Sequence, residues 1–189
     1  MPTSRSGDDE DDARAVRAAR AGSQAGFDAL MKRHRDTVFR LARNHLGNEA
    51  DALDVTQESF VAAFLGLHRF DQARSFRAWI LRIAINKCHD IARRRAVRRF
   101  LAFALPLGDG LEVPDTAPGP EAALASAHAV EHIHAALAAL PNSLKEPLLL
   151  CAFEGLAQDE AAAVLGISRK AVETRIYRAR QKLSHLLEG

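Results

Sequence analysis

Residues 157–180 read AQDEAAAVLGISRKAVETRIYRAR, a pattern with the layout of a helix–turn–helix that could read base edges in a DNA major groove. Small residues, Ala161 and Ala162, stand where a second helix must cross closely. Gly166 supplies the left-handed conformation that a sharp turn needs, Ile167 plugs the turn, and Ser168 is placed to cap the next helix. On that helix Val172, Ile176, Ala179 and Leu183 make an apolar stripe. The opposite side offers Ser168, Arg169, Lys170, Glu173, Thr174, Arg175, Tyr177 and Arg178, donors and acceptors suited to bases and phosphates.

A second group differs in kind. Between residues 69 and 99 there are ten Lys/Arg against Asp71 and Asp90, ending in RRRAVRR, so a polyanion is the implied partner. Phe70, Phe76 and Trp79 lie among Arg69, Arg74, Arg77 and Arg82. Rings beside cations suit a strand with unstacked bases, since rings stack on bases while cations follow phosphates. The alternative is that Phe76 and Trp79 are core.

Catalytic patterns are missing from the sequence. There is no GxSxG and no phosphate-cradling glycine loop, and His128, His132 and His134 have no carboxylate or Cys completing a metal site. A surface or capping role is expected for these histidines. The expectation is a non-enzyme with no catalytic residue, no cofactor and no metal.

The elements that must carry these groups are helical. Hydrophobic residues make up 48% of the 189, with abundant Ala and without alternating Val/Ile/Thr runs, so the fold class is all-α. Residues 1–12, including DDEDD at 8–12, read as an acidic disordered tail. Phe27, Leu30, Met31, His34, Val38, Leu41 and His45 form one stripe of a first helix, and Leu53, Phe60, Phe64 and Leu67 carry a second. A third runs from Ser75, its N-cap, to Arg95, with Phe76, Ile80, Ile83 and Ile91 on one side. The first domain spans 13–98.

Residues 99–120 read as a flexible linker. Pro106, Pro114, Pro118 and Pro120 with three glycines exclude a helix interior over 105–120, and Asp109, Glu112 and Asp115 make it acidic. The second domain spans 121–187. One of its helices stops at Pro141, and Asn142 or Ser143 can cap the next, in which Pro147 predicts a kink or a shortened helix before Gly155.

Cys88 and Cys151, 63 residues apart and outside any CxxC, read as small buried hydrophobes. No signal-peptide stretch and no 18-residue apolar run occurs, so a cytoplasmic location without membrane insertion is expected.

LDVTQESF (53–60), FRAWILRIAINKCHDIARRR (76–95) and EGLAQDEAAAVLGISRKAVETRIYRARQKL (154–183), in this order, resemble the extracytoplasmic-function (ECF) class of bacterial sigma factors. The resemblance covers nearly everything after residue 13 and implies a transcription initiation factor with a sigma region 2-like bundle and a region 4-like helix–turn–helix. It implies docking on the β′ clamp helices of core RNA polymerase through Asp54, Gln57 and Glu58, with the β flap as a further polymerase contact. It implies recognition and melting of the promoter −10 element by Phe70, Asp71, Arg74, Arg77, Trp79, Arg82, Asn86 and Lys87. The helix from Arg169 to Arg180 would read the −35 element, and an anti-sigma factor is the implied inhibitor. Lys170 and Glu173 depart from the family pattern, so the −35 preference does not transfer. A dimeric helix–turn–helix regulator acting without polymerase is the competing reading.

The length of the linker limits how far apart the two domains can sit. Promoter elements about 17 base pairs apart are separated by roughly 58 Å along the duplex. A relaxed linker of about 24 residues spans only about 27 Å, although it reaches about 80 Å extended. The free domains should therefore sit too close to read both elements until polymerase draws them apart.

Overall fold

The computed structural model describes residues 7–104 and 121–188. Among them there are eight α-helices and no strand. The helices are α1 (Gly7–Arg20), α2 (Gln24–Leu46), α3 (Glu49–Gly66), α4 (Phe76–Ala104), α5 (Glu121–Ala139), α6 (Asn142–Leu148), α7 (Gln158–Leu165) and α8 (Arg169–Glu188).

The acidic segment is not a loose tail where it is described: residues 7–12 open α1. Asp8, Asp9 and Glu10 in its first turn face the positive end of the helix dipole. Asp12 is buried, accepts from the Arg33 guanidinium and lies 2.7 Å from His34 Nε2. Burial works against its charge, but the hydrogen bonds and charges of His34 and Arg33 outweigh that and hold its carboxyl below the usual range. This buried carboxylate ties α1 to α2. The same crossing requires Gly26, where a Cβ would lie 2.7 Å from the Ala19 nitrogen and 2.8 Å from the Ala15 oxygen.

The stripe on α2 is core: Leu30, His34, Val38, Leu41 and His45 are buried, while Met31 is exposed. On α3 the expected assignment fails. Phe60 and Leu67 are buried, but Leu53 is exposed and Phe64 is 61% exposed. Ala52, Val55, Thr56, Ser59 and Ala63 face inward instead, because small side chains let α2 and α3 approach closely. Phe64 meets Phe27 edge to face, with ring centroids 5.1 Å apart.

Ser75 accepts from the Ala78 N–H as the expected N-cap of α4. That helix passes Arg95 and continues to Ala104, so the first residues of the expected linker are helical. The Pro/Gly-rich stretch 105–120 lies outside the described residues.

In the second unit neither Asn142 nor Ser143 caps α6; the Pro141 carbonyl accepts from the Leu144 and Lys145 amides. Pro147 has the expected effect: α6 is only seven residues long and runs into a π-helical turn, Leu149–Phe153. Gly155 follows with φ +66°.

The two units pack directly on each other, α5 and the π-turn against α2, and α7 against α4. Leu137, Leu140, Leu148 and Leu149 join the same buried apolar cluster as Leu41 and Ile85. This agrees with the expectation that the free domains lie close together.

Candidate DNA and polymerase interfaces

The helix–turn–helix forms as its sequence pattern requires. Ala161 and Ala162 are buried at the α7–α8 crossing, and Gly166 takes φ +67° while its amide donates to the Ala162 carbonyl. Ser168 Oγ accepts from the Ala171 amide at 3.2 Å. Ala157, at the N-cap of α7, has no side-chain acceptor, and Glu160 reaches back to accept from its amide. Val172, Ile176 and Ala179 are buried, which turns the other side of α8 outward.

On that outer side Ser168, Arg169, Lys170, Glu173, Thr174, Tyr177 and Arg178 are exposed, and Arg175 is half-buried. Arg169 pairs with Asp159 at 3.3 Å and Lys170 with Glu173 at 3.0 Å. The Thr174 hydroxyl donates to the Lys170 carbonyl, and the Tyr177 hydroxyl accepts from Gln181. Exposed ion pairs of this kind contribute at most about 1 kcal/mol, so a phosphate can displace them at little cost.

The residues expected at the −10 element are divided by the structure. Asp71 is exposed, accepts from the Ala73 amide and pairs with Arg74; Arg82 and Asn86 are also exposed. Phe70 does not offer a ring face for stacking on a base. It is 5% exposed, with ring centroids 4.8 Å from Trp79 and 5.8 Å from Phe76. An aromatic between Arg69 and Asp71 reads as a stacking platform in sequence, but here it supports the loop from beneath. Trp79 is half-buried and covers Gly66. Arg77 donates to the Glu154 carbonyl, and Lys87 pairs with Glu58 at 3.0 Å.

The loop and the start of α4 line a surface cavity of about 910 Å³. Its far wall is α7, which contributes Asp159, Glu160 and Val164. Acidic groups of the second unit thus stand across from Arg69, Arg74 and Arg82.

On α3, Asp54 and Gln57 are exposed, and Glu58 is half-buried in its pair with Lys87. Beside them Leu53, Val61, Phe64 and Leu65 are exposed, an apolar patch with a polar flank. Cys88 and Cys151 are both free.

Sequence reasoning missed the polar set that joins the two units. The Glu154 carboxylate is fully buried and accepts from Arg40 at 2.6 and 3.1 Å. Buried Lys145 donates to the carbonyls of His45 and Ala138. Glu146 Oε1 lies 2.5 Å from His89 Nε2 and 3.4 Å from His45 Nε2. Burial, which penalises the charged form, holds His45 and Lys145 below their usual ranges. Burial opposes the charge of Glu146, but its hydrogen bonds to the two histidines hold it below the usual range. Burial pushes the neighbouring Cys88 thiol up to about 12, so it stays protonated. His134 is not merely a surface group, since its Nδ1 lies 2.8 Å from Asn44 Oδ1. The one sequence signal is His45, a histidine on an otherwise apolar stripe.

A helical bundle bearing a basic loop, joined to a helix–turn–helix with a polar outer face, defines a two-domain DNA-binding protein. Residues 30–99 match the family model of Sigma-70 region 2, and residues 131–183 match that of Sigma-70, region 4. The chain is similar to RNA polymerase sigma factor CnrH of Cupriavidus metallidurans, with 45% identity covering 95% of this chain and 96% of the relative. It is 39% identical to RNA polymerase sigma factor NccH of Alcaligenes xylosoxydans, over 95% of each chain. The solved structure of CnrH in complex with the cytosolic domain of CnrY superposes with a TM-score of 0.69 at 38% identity, covering 94% of this chain and 97% of that one. The chain belongs to the sigma-70 family of RNA polymerase sigma factors, in its extracytoplasmic-function class, and is a transcription initiation factor. Among the described residues no helix is long and apolar enough to cross a membrane.

Proposed function

We propose that residues 13–98 bind core polymerase and the −10 element, that 121–187 read the −35 element, and that the chain has no catalysis of its own and acts in the cytoplasm. The observation that carries the DNA reading is the outer face of α8, held outward by buried Val172, Ile176 and Ala179. Ser168, Arg169, Lys170, Glu173 and Thr174 near the helix start address bases, and Arg175, Tyr177 and Arg178 follow the backbone. At the −10 element Asp71, Arg74, Arg82 and Asn86 meet the strand directly, Trp79 flanks them, and Phe70 positions the loop. Arg77 and Lys87 join once their present partners release them. Opening the duplex costs about 1.4 kcal/mol of stacking per step, which capture of unstacked bases at about 1–3 kcal/mol each offsets. RNA synthesis stays with the polymerase.

Asp54, Gln57 and Glu58 with the adjoining apolar patch dock on the β′ clamp helices, and the second domain meets the β flap. An anti-sigma factor covers these surfaces when the protein is inactive. The relative CnrH, solved in complex with the cytosolic domain of CnrY, supports this part.

Arg169→Ala/Lys170→Ala, assembled with core polymerase, is expected to bind promoter DNA at least about tenfold more weakly. For every phosphate that α8 no longer neutralises, the salt slope of log K should become shallower by about one. Anisotropy titrations at several salt concentrations measure both, and unchanged affinity with an unchanged slope would remove α8 from the DNA.

A further inference from the structure

We propose that His45, His89 and Glu146 form a binding site for one divalent cation of the zinc, nickel or cobalt class, bridging the two domains. Their ligand atoms all lie within 4.8 Å of one another. They come from three elements: His45 from the last turn of α2, His89 from α4 and Glu146 from α6. Two ligands therefore belong to the first domain and one to the second.

The donor set is two imidazoles and a carboxylate, which selects borderline divalent metals over calcium or magnesium. In a tetrahedral site with bonds of about 2.0 Å, ligand atoms stand about 3.3 Å apart. His45 Nε2 and Glu146 Oε1 are already 3.4 Å apart, whereas His89 Nε2 and Oε1, at 2.5 Å, must separate by somewhat less than one ångström. His89 is half-exposed, so its ring can make that shift and leave the fourth position open to solvent.

As a hydrogen-bond network alone, the cluster is incompletely satisfied. A single carboxylate oxygen serves both rings. The C-terminal end of α2 favours positive charge at His45. Lys145 works the other way, but its ammonium is held by the carbonyls of His45 and Ala138 rather than by Glu146. The site is therefore weaker than a closed structural zinc centre. Because ligands come from both domains, the bound cation stabilises the packed arrangement over the separated one by mass action.

Untagged full-length protein is titrated with Zn2+ against a chromophoric chelator, and with Co2+ followed by its visible absorption. One equivalent is expected, with cobalt bands of a nitrogen–oxygen site. His89→Ala, at a half-exposed position, should keep its circular dichroism while losing the cobalt bands and at least about a hundredfold in zinc affinity. Glu146→Gln should lose them as well. Small-angle scattering of Glu154→Ala, in which the domains are expected to separate, should give a smaller radius of gyration with zinc, and Glu154→Ala/His89→Ala should show no change. Absence of uptake by wild type, or uptake unaffected by His89→Ala, overturns the site. Uptake without compaction overturns the bridge. No arm uses polymerase or DNA, so these outcomes are separate from those that test promoter recognition.

Discussion

Asp54→Ala/Gln57→Ala/Glu58→Ala is expected to weaken association with core RNA polymerase by about a hundredfold or more, equivalent to about 2.7 kcal/mol. Fold stability should be nearly untouched. Asp54 and Gln57 are exposed, and the buried face of α3 is made by Ala52, Val55, Thr56, Ser59 and Phe60. Glu58 loses a pair with Lys87 in which both side chains are partly exposed, worth at most about 1 kcal/mol after solvent screening. Polymerase affinity, by contrast, should be concentrated where polar groups flank exposed Leu53, Val61 and Phe64. The apolar patch supplies area, and the polar flank sets orientation. Surface-immobilised core polymerase and graded concentrations of wild type and variant measure the difference. Wild-type affinity in the variant would move the docking surface away from α3.

Glu154→Ala is expected to shift the protein toward separated domains by about 2 kcal/mol, roughly a 30-fold change in the equilibrium. The buried carboxylate takes two charge-assisted hydrogen bonds from Arg40 across the domain contact. Arg40 is about half exposed and regains water when its partner is removed, so the cost stays near the lower end for such a pair. The Arg77 bond to the Glu154 carbonyl is to backbone and survives the substitution. Reading two elements about 17 base pairs apart requires roughly 58 Å of separation, so the packed arrangement opposes promoter engagement. Glu154→Ala should therefore raise the radius of gyration and increase apparent affinity for polymerase, and Glu154→Gln should do so less. An unchanged radius of gyration would contradict a latch. A collapse of the thermal transition would assign Glu154 to folding of the second domain instead.

The parts legible in sequence are those that local chemistry determines. Ala161, Gly166, Ser168 and Val172 each have one suitable job within twenty residues, and together they specify the helix–turn–helix. Pro147 announces a break in its helix for the same reason, since a missing N–H acts locally. Inward and outward faces are harder to read. Phe64 and Leu53 suggest core because they are large, yet close approach of α2 selects Ala52, Ser59 and Ala63. Phe70 suggests a base-stacking ring because of its arginine neighbours, but contact with Phe76 and Trp79 buries it. Asp12 reads as part of a solvated acidic run, whereas Arg33 and His34 give it buried partners. Apart from His45 on its apolar stripe, the domain contact is not legible. Arg40 and Glu154 are 114 positions apart, and His45 and Glu146 are 101 apart. No local pattern relates residues at such distances.

The most direct test is transcription from fragmented genomic DNA by core RNA polymerase freed of other sigma factors, with and without the purified chain, followed by mapping of RNA 5′ ends. The result predicted is a new set of start sites sharing two sequence elements about 17 base pairs apart, with the upstream element altered by substitutions on the outer face of α8. The same 5′ ends with and without the chain would contradict its role as the promoter-directing subunit.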